Sequence, residues 1–173
     1  SHWNAQESLA EWLKREKVPG ITGIDTRELT KVLREHGEMM GKILFDDMPN
    51  EIPEAEYEGV NFVSKVSCKE VIRYAPTNGE KNAPKVVLVD CGVKHNIIRN
   101  LINRGVEVIR VPWDYDFNQL EFDGLFLANG PGDPDTCVVT VGHIRAFLEN
   151  PQVRPCMGIC MGNQLLSKAA GAT

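Results

Sequence analysis

Five residues, Gly158-Ile159-Cys160-Met161-Gly162, constrain this chain more than any other feature, because they set a thiol between two glycines where a short apolar run becomes helical. A strand that turns this sharply into a helix forces its central residue into a strained backbone conformation. A Cβ on either flank would meet the crowded strand and helix, so glycine is needed on both sides. The spacing predicts a nucleophile elbow, with the thiol lifted clear of a sheet at a helix N-terminus whose amides and dipole favour thiolate. Taken alone, the pentapeptide also fits a small buried cysteine in a tight turn.

A second motif, Asn129-Gly130-Pro131-Gly132-Asp133-Pro134, follows the apolar run Leu125-Phe126-Leu127-Ala128. In an open parallel sheet the loops at the carboxyl ends of the strands line the ligand crevice, and the Cys160 elbow leaves a strand at that same edge. The two motifs are therefore expected to meet. A rigid glycine loop can aim a backbone N–H at a developing oxyanion, and the amide after a nucleophile supplies a second donor. Gly130 and Met161 are those donors. Without Cys160, the loop would read as an ordinary tight turn between strand and helix.

The rest of the chain divides into two rhythms. Residues 4–17 predict an amphipathic helix capped by Asn4 with Glu7 three residues on, and a second helix begins at Asp25, with Glu28 three residues on and Gly37 at its end. A short strand is expected over Lys42 to Phe45, then a solvated loop from Asp46 to Glu58 carrying six acidic and no basic residues. Val60 to Val71 has some alternating apolar character. The polar stretch 73–84 is expected as a linker, between a first domain over 1–72 and a second over 85–173. Beyond it, strands at Val86–Val89, 106–111, 124–128 and 155–159 alternate with helices at 93–104 and 138–148. That alternation predicts an α/β fold with a doubly wound parallel sheet, preceded by part of a smaller α+β domain.

Composition excludes several classes. The 173 residues, 42% hydrophobic, can bury one medium core or two small ones. No apolar run approaches the roughly 20 residues of a membrane span. A net charge of −5 without clustered lysine and arginine argues against a nucleic-acid surface. The five cysteines form no C-x-x-C pair or metal-ligand array, so reduced thiols and no metal are expected, with Cys91, Cys137 and Cys156 as packing residues.

The two motifs together resemble the class I, triad-type glutamine amidotransferases, in which an N-G-P-G-x-P loop precedes a G-x-C-x-G-x-Q elbow, here Gly158 to Gln164. Further upstream, Ile24-Asp25-Thr26-Arg27-Glu28-Leu29-Thr30 and Val89-Asp90-Cys91-Gly92-Val93-Lys94-His95-Asn96-Ile97-Ile98-Arg99 are similar to the glutaminase portion of carbamoyl phosphate synthetases. So are Ser1-His2-Trp3-Asn4 and Val111-Pro112-Trp113. The resemblance implies that Cys160 attacks the side-chain amide of glutamine, that Gly130 and Met161 hold the oxyanion, and that a glutamyl thioester is then hydrolysed. It also implies that Gly130, Gly132 and Gln164 bind the glutamine. No cofactor is implied here; ATP and magnesium belong to a synthetase large subunit or fused synthetase domains, the implied partner beside glutamine.

The family's general base is a His-x-Glu pair well downstream of the cysteine, whereas all four histidines here precede it. His36-Gly37-Glu38 has the spacing but stands in the wrong chain order and ends a helix of the first domain; His95 and His143 read as surface or half-buried residues. The chain is therefore expected to be a piece of a longer polypeptide, lacking part of the small domain ahead and later strands behind, and inactive by itself. Asn163, where most triad glutaminases carry histidine, is similar to the mitochondrial, urea-forming branch. That leaves mitochondrial matrix or cytoplasm as compartments. It also leaves three readings: an active glutaminase, a vestigial domain of an ammonia-dependent synthetase, or a different thiol hydrolase on the same fold.

Overall fold

Val87, Leu88 and Val89 are fully buried at the centre of a five-stranded sheet in the computed structural model, which describes residues 3, 5–37, 39–44, 59–152 and 154–172. The strands are β1 (Ile72–Tyr74), β2 (Lys85–Asp90), β3 (Glu107–Pro112), β4 (Gly124–Leu127) and β5 (Cys156–Gly158), in the order β1-β3-β2-β4-β5. β2 pairs in parallel with β3 and β4, and β4 with β5, while β1 runs antiparallel to β3 at the edge. The expected parallel sheet is present, with one antiparallel strand added where 73–84 begins.

Period-two alternation sends side chains to opposite faces, and both faces are covered. Val87, Val89, Leu125 and Leu127 meet α5 (Val138–Glu149) and α6 (Met161–Ala169) through Ile144, Phe147, Met161 and Leu165. Leu88, Val108 and Phe126 meet α4 (His95–Ile102) through Ile98, with Ile97 and Leu101 beside it. Helices on both faces are what doubly wound means. Each such fully buried aliphatic side chain contributes about 1.5–3 kcal/mol relative to exposure.

The chain separates into two compact units, Ser1–Ala55 and Glu56–Thr173. The 73–84 stretch, expected as the linker, lies inside the second unit: β1 pairs with β3, and the Thr77 amide donates to the Ile102 carbonyl at 3.0 Å. A polar composition hid it because an edge strand of three residues carries little apolar signal. The segment before it is also helical at α3 (Phe62–Val66), capped by Asn61, rather than alternating.

In the first unit, α1 spans Leu9–Arg15 rather than 4–17. Its cap is Ser8, whose hydroxyl accepts from the Glu11 amide while the Glu11 carboxylate accepts from the Ser8 amide. Asn4, the expected cap, lies outside the described residues. α2 (Thr26–His36) starts as expected, with the Asp25 carboxylate accepting from Arg27 and Glu28 amides at 3.0 Å and Gly37 closing the end at φ +76°. Residues 42–44 form no strand. Phe45, the acidic 46–58 stretch, Ser1, His2 and Glu38 lie outside the described residues. No described helix is long and apolar enough to cross a membrane.

Candidate active site

Cys160 stands between β5 and α6 at φ 54°, ψ −116°, one of two non-glycine residues with positive φ among those described. Such a conformation costs on the order of 1–3 kcal/mol and persists only where the surroundings over-determine it. They do so here. The Ile159 amide donates to the Leu127 carbonyl at 3.0 Å, and the Gly162 amide to the Ala128 carbonyl at 3.0 Å, so the elbow is pinned to β4 on both sides of the cysteine. A Cβ on Gly162 would lie 2.1 Å from the Leu127 carbonyl oxygen, and one on Gly158 would lie 2.6 Å from the Gly162 carbonyl. Both glycines are therefore required by close approach, and the expected elbow is the one observed.

The thiol is exposed and makes no capping hydrogen bond to its helix. The other cysteines differ: Cys91 and Cys137 are buried, and Cys68 and Cys156 half-buried. Burial pushes the thiols of Cys91, Cys137 and Cys156 up, and burial followed by the Asp90 charge raises Cys68 to about 11. Cys160 is the one exposed cysteine of the five. The Asn163 and Gln164 amides bond the Cys160 carbonyl at 3.0 and 3.1 Å, and Gly162 is taken up by Ala128. Among the backbone bonds of the described residues the Met161 amide takes none, which leaves it as the first-turn donor open to a ligand.

The loop after β4 reaches the same edge. Ala128, its last strand-side residue, is bonded directly to the elbow through Gly162, and Lys168 of α6 pairs with Asp135 just beyond the loop. Gly130 presses against the turn after β2, since a Cβ there would lie 2.2 Å from the Cys91 carbonyl oxygen. Gly132 adopts φ +83° with its Cβ position 3.1 Å from the Phe62 ring. Gln164 is exposed one turn into α6. Gly130 and Gly132 thus lie on the loop after β4, Cys160 at the turn after the neighbouring β5, and Met161 and Gln164 on the first turn of α6, with the elbow hydrogen-bonded to Leu127 and Ala128 just before that loop.

Several neighbours were not legible as site residues. Asn61 caps α3 and donates to the Thr136 carbonyl at 2.9 Å, and Phe62 lines Gly132, so a segment assigned by sequence to the first domain borders the loop. Asp90, at the end of β2, is fully buried. Its Oδ1 accepts from Gly92 and Val93 amides at 2.9 and 2.8 Å, and its Oδ2 from the Cys68 amide and from Arg110 at 2.7 and 2.6 Å. Burial opposes the charge, yet the Val93, Cys68 and Gly92 amides and the Arg110 guanidinium outweigh it and hold the carboxyl below the usual carboxylate range. The signal available was an aspartate at a strand end two residues before glycine. Of the histidines, His95 is exposed at the start of α4, and His143 lies 3.6 Å from the Asp116 carboxylate and edge-on to Phe117. Among the described residues no group of three or more His, Cys, Asp or Glu is placed to hold a metal.

Comparison with known proteins places these features in context. Residues 87–173 match the family profile described as glutamine amidotransferase class-I, and residues 1–43 the one described as carbamoyl-phosphate synthase small chain, CPSase domain. The chain is 45% identical to Multifunctional protein pyr1-3 of Dictyostelium discoideum, over 99% of this chain and 8% of that protein. It is 44% identical to the human mitochondrial carbamoyl-phosphate synthase designated ammonia, over 99% of this chain and 11% of that one. It is 45% identical to the arginine-specific carbamoyl phosphate synthase small chain of Saccharomyces cerevisiae, over the whole of this chain and 43% of that one. The chain thus spans about a tenth of the length of the large relatives and under half of the small chain.

Proposed function

The chain belongs to the class I glutamine amidotransferase family, and from that premise we propose that it is the glutaminase portion of a carbamoyl phosphate synthetase, hydrolysing glutamine through Cys160 to supply ammonia. The observation that carries this reading is the strained, outward-facing Cys160 at the end of β5, beside the open Met161 amide and the Gly130 loop. The Cys160 thiolate would attack the side-chain amide carbon of glutamine, giving a tetrahedral oxyanion held by the Gly130 and Met161 N–H groups. Collapse of that intermediate breaks the C–N bond and releases ammonia, the leaving nitrogen taking a proton from an acid–base group of the complete polypeptide, in this family the His-x-Glu pair downstream of the cysteine. Water then attacks the glutamyl thioester through a second oxyanion, releasing glutamate and restoring the thiol. Gln164 and the Gly130–Gly132 loop would hold the substrate.

The partner is a carbamoyl phosphate synthetase large subunit or fused synthetase domains, and ATP and magnesium would be used there. The similarity of residues 1–43 to a carbamoyl-phosphate synthase small chain supports that assignment. Relatives whose names place them in mitochondria support the mitochondrial matrix as compartment, with the cytoplasm as the alternative. The test is ammonia release from glutamine by the complete polypeptide, with Cys160→Ala as control. Loss of glutaminase with retention of ammonia-driven synthesis supports the assignment; a wild type that releases no ammonia contradicts it.

Asn163 favours a second reading. It stands exposed on the first turn of α6, where most triad glutaminases carry histidine, and a relative designated for ammonia is 44% identical to this chain. In that case the domain would hold a synthetase in shape while free ammonia is the nitrogen source.

A further inference from the structure

The Asn129 side chain spans the two turns that approach each other at the carboxyl edge of the sheet. Its Nδ2 donates to the Gly92 carbonyl at 3.0 Å, and its Oδ1 accepts from the Lys94 amide at 3.2 Å. Both ends of one planar amide are thus spent on the β2–α4 turn, which fixes its orientation. That turn is itself immobilised by the buried Asp90 carboxylate, which takes the Gly92 and Val93 amides and is closed from behind by Arg110. The turns are also in steric contact: a Cβ on Gly92 would lie 3.2 Å from Pro131 Cδ and 3.5 Å from Gly130 Cα. Gly130 follows Asn129 directly, and an amide group cannot be aimed more accurately than the residue that precedes it is held.

We propose that Asn129 is a positioning residue for the oxyanion donor, clamping the Gly130 loop to the Asp90-held turn so that the Gly130 N–H faces the site beside Cys160. The proposal rests on the glutaminase reading. Asn129 touches neither substrate nor nucleophile; it acts through the peptide that carries the Gly130 amide. An oxyanion donor is used mainly in the transition state, so loosening it lowers kcat more than it raises KM, to which the loop contributes through substrate binding. Alkylation of the thiol by a small neutral reagent needs no oxyanion donor and should not respond.

The experiment uses the complete polypeptide carrying Asn129→Asp and Asn129→Ala. Aspartate keeps the acceptor for the Lys94 amide but turns an oxygen towards the Gly92 carbonyl; alanine removes both bonds. For each variant, kcat and KM for glutamine hydrolysis, the rate of Cys160 alkylation by iodoacetamide, and deuterium exchange of the 129–133 segment would be measured. The expected result is a kcat lowered by about tenfold to a hundredfold, below or near the 10²–10³ that losing an oxyanion donor outright costs. The alkylation rate should stay within about threefold, KM should rise by less than kcat falls because the same loop also holds the substrate, and loop exchange should quicken. Unchanged kcat in both variants overturns the proposal. So does a parallel fall of kcat, alkylation and melting temperature, which would mean that Asn129 merely supports the fold. Should the wild type release no ammonia, the glutaminase reading fails and the donor role falls with it, whereas unchanged kcat in both variants of an active wild type overturns the donor role alone.

Discussion

Two strand ends at the same edge of this sheet are built in opposite ways. After β2, Asp90 is wholly buried and every hydrogen bond it can make is turned inward, to three amides and a guanidinium. After β5, Cys160 is exposed, carries a strained φ of 54° and gives no side-chain bond to its own helix. A buried carboxylate with its partners in place is a rigid anchor, whereas an exposed, unbonded thiol on a pinned backbone is available for chemistry. The contrast is between a side chain that is fully engaged and one that the backbone leaves free, with the loop after β4 bonded through Asn129 to the turn that Asp90 holds.

Substitutions at the two ends should therefore fail differently. Cys160→Ser is expected to lower glutamine hydrolysis by on the order of 10³ or more while leaving the melting temperature within a few degrees, checked by ammonia release and calorimetry. Asp90→Ala should act first on stability, destabilising the second unit by about 3–5 kcal/mol because Arg110 and three amides lose their buried partner, as read by urea denaturation. Gly162→Ala, whose Cβ would meet the Leu127 carbonyl at 2.1 Å, should cost about 3 kcal/mol and abolish the elbow at once, blurring the contrast.

The acid limb of stability sharpens it further. The folded pKa of Asp90 is depressed, so its contribution is complete above the ordinary carboxylate value near 4 and is lost as pH falls through the lower folded value. Wild type should lose stability below about pH 4 more steeply than Asp90→Asn, and urea midpoints across that range test it. The smallest effect expected is a gain: Cys160→Gly relieves the positive φ and should stabilise the fold by about 1 kcal/mol while removing the nucleophile.

The Cys160 end was legible in the sequence because all its determinants lie within five consecutive residues: two glycines, a thiol, a strand before and a helix after. The loop at Asn129 to Pro134 was legible for the same reason, and the parallel sheet through its apolar runs. The Asp90 end was not, since its partners Cys68 and Arg110 lie about twenty residues to either side, Arg110 reaching it from the paired strand β3 and Cys68 from the segment before β1. The same applies to β1, a short edge strand whose partner β3 is distant in sequence, and to Asn61, whose bond to Thr136 spans the second unit. At α1 the reading placed the cap at Asn4 and passed over Ser8, whose pair of bonds with Glu11 forms the observed cap.

The most direct test of the account is mass-spectrometric mapping of cysteine labelling in the complete polypeptide by a glutamine-mimicking diazo-ketone, with free glutamine as competitor. Modification of Cys160 alone is expected, suppressed by glutamine, with Cys68, Cys91, Cys137 and Cys156 untouched. Absence of labelling, or labelling spread over all five cysteines without protection by glutamine, would contradict it.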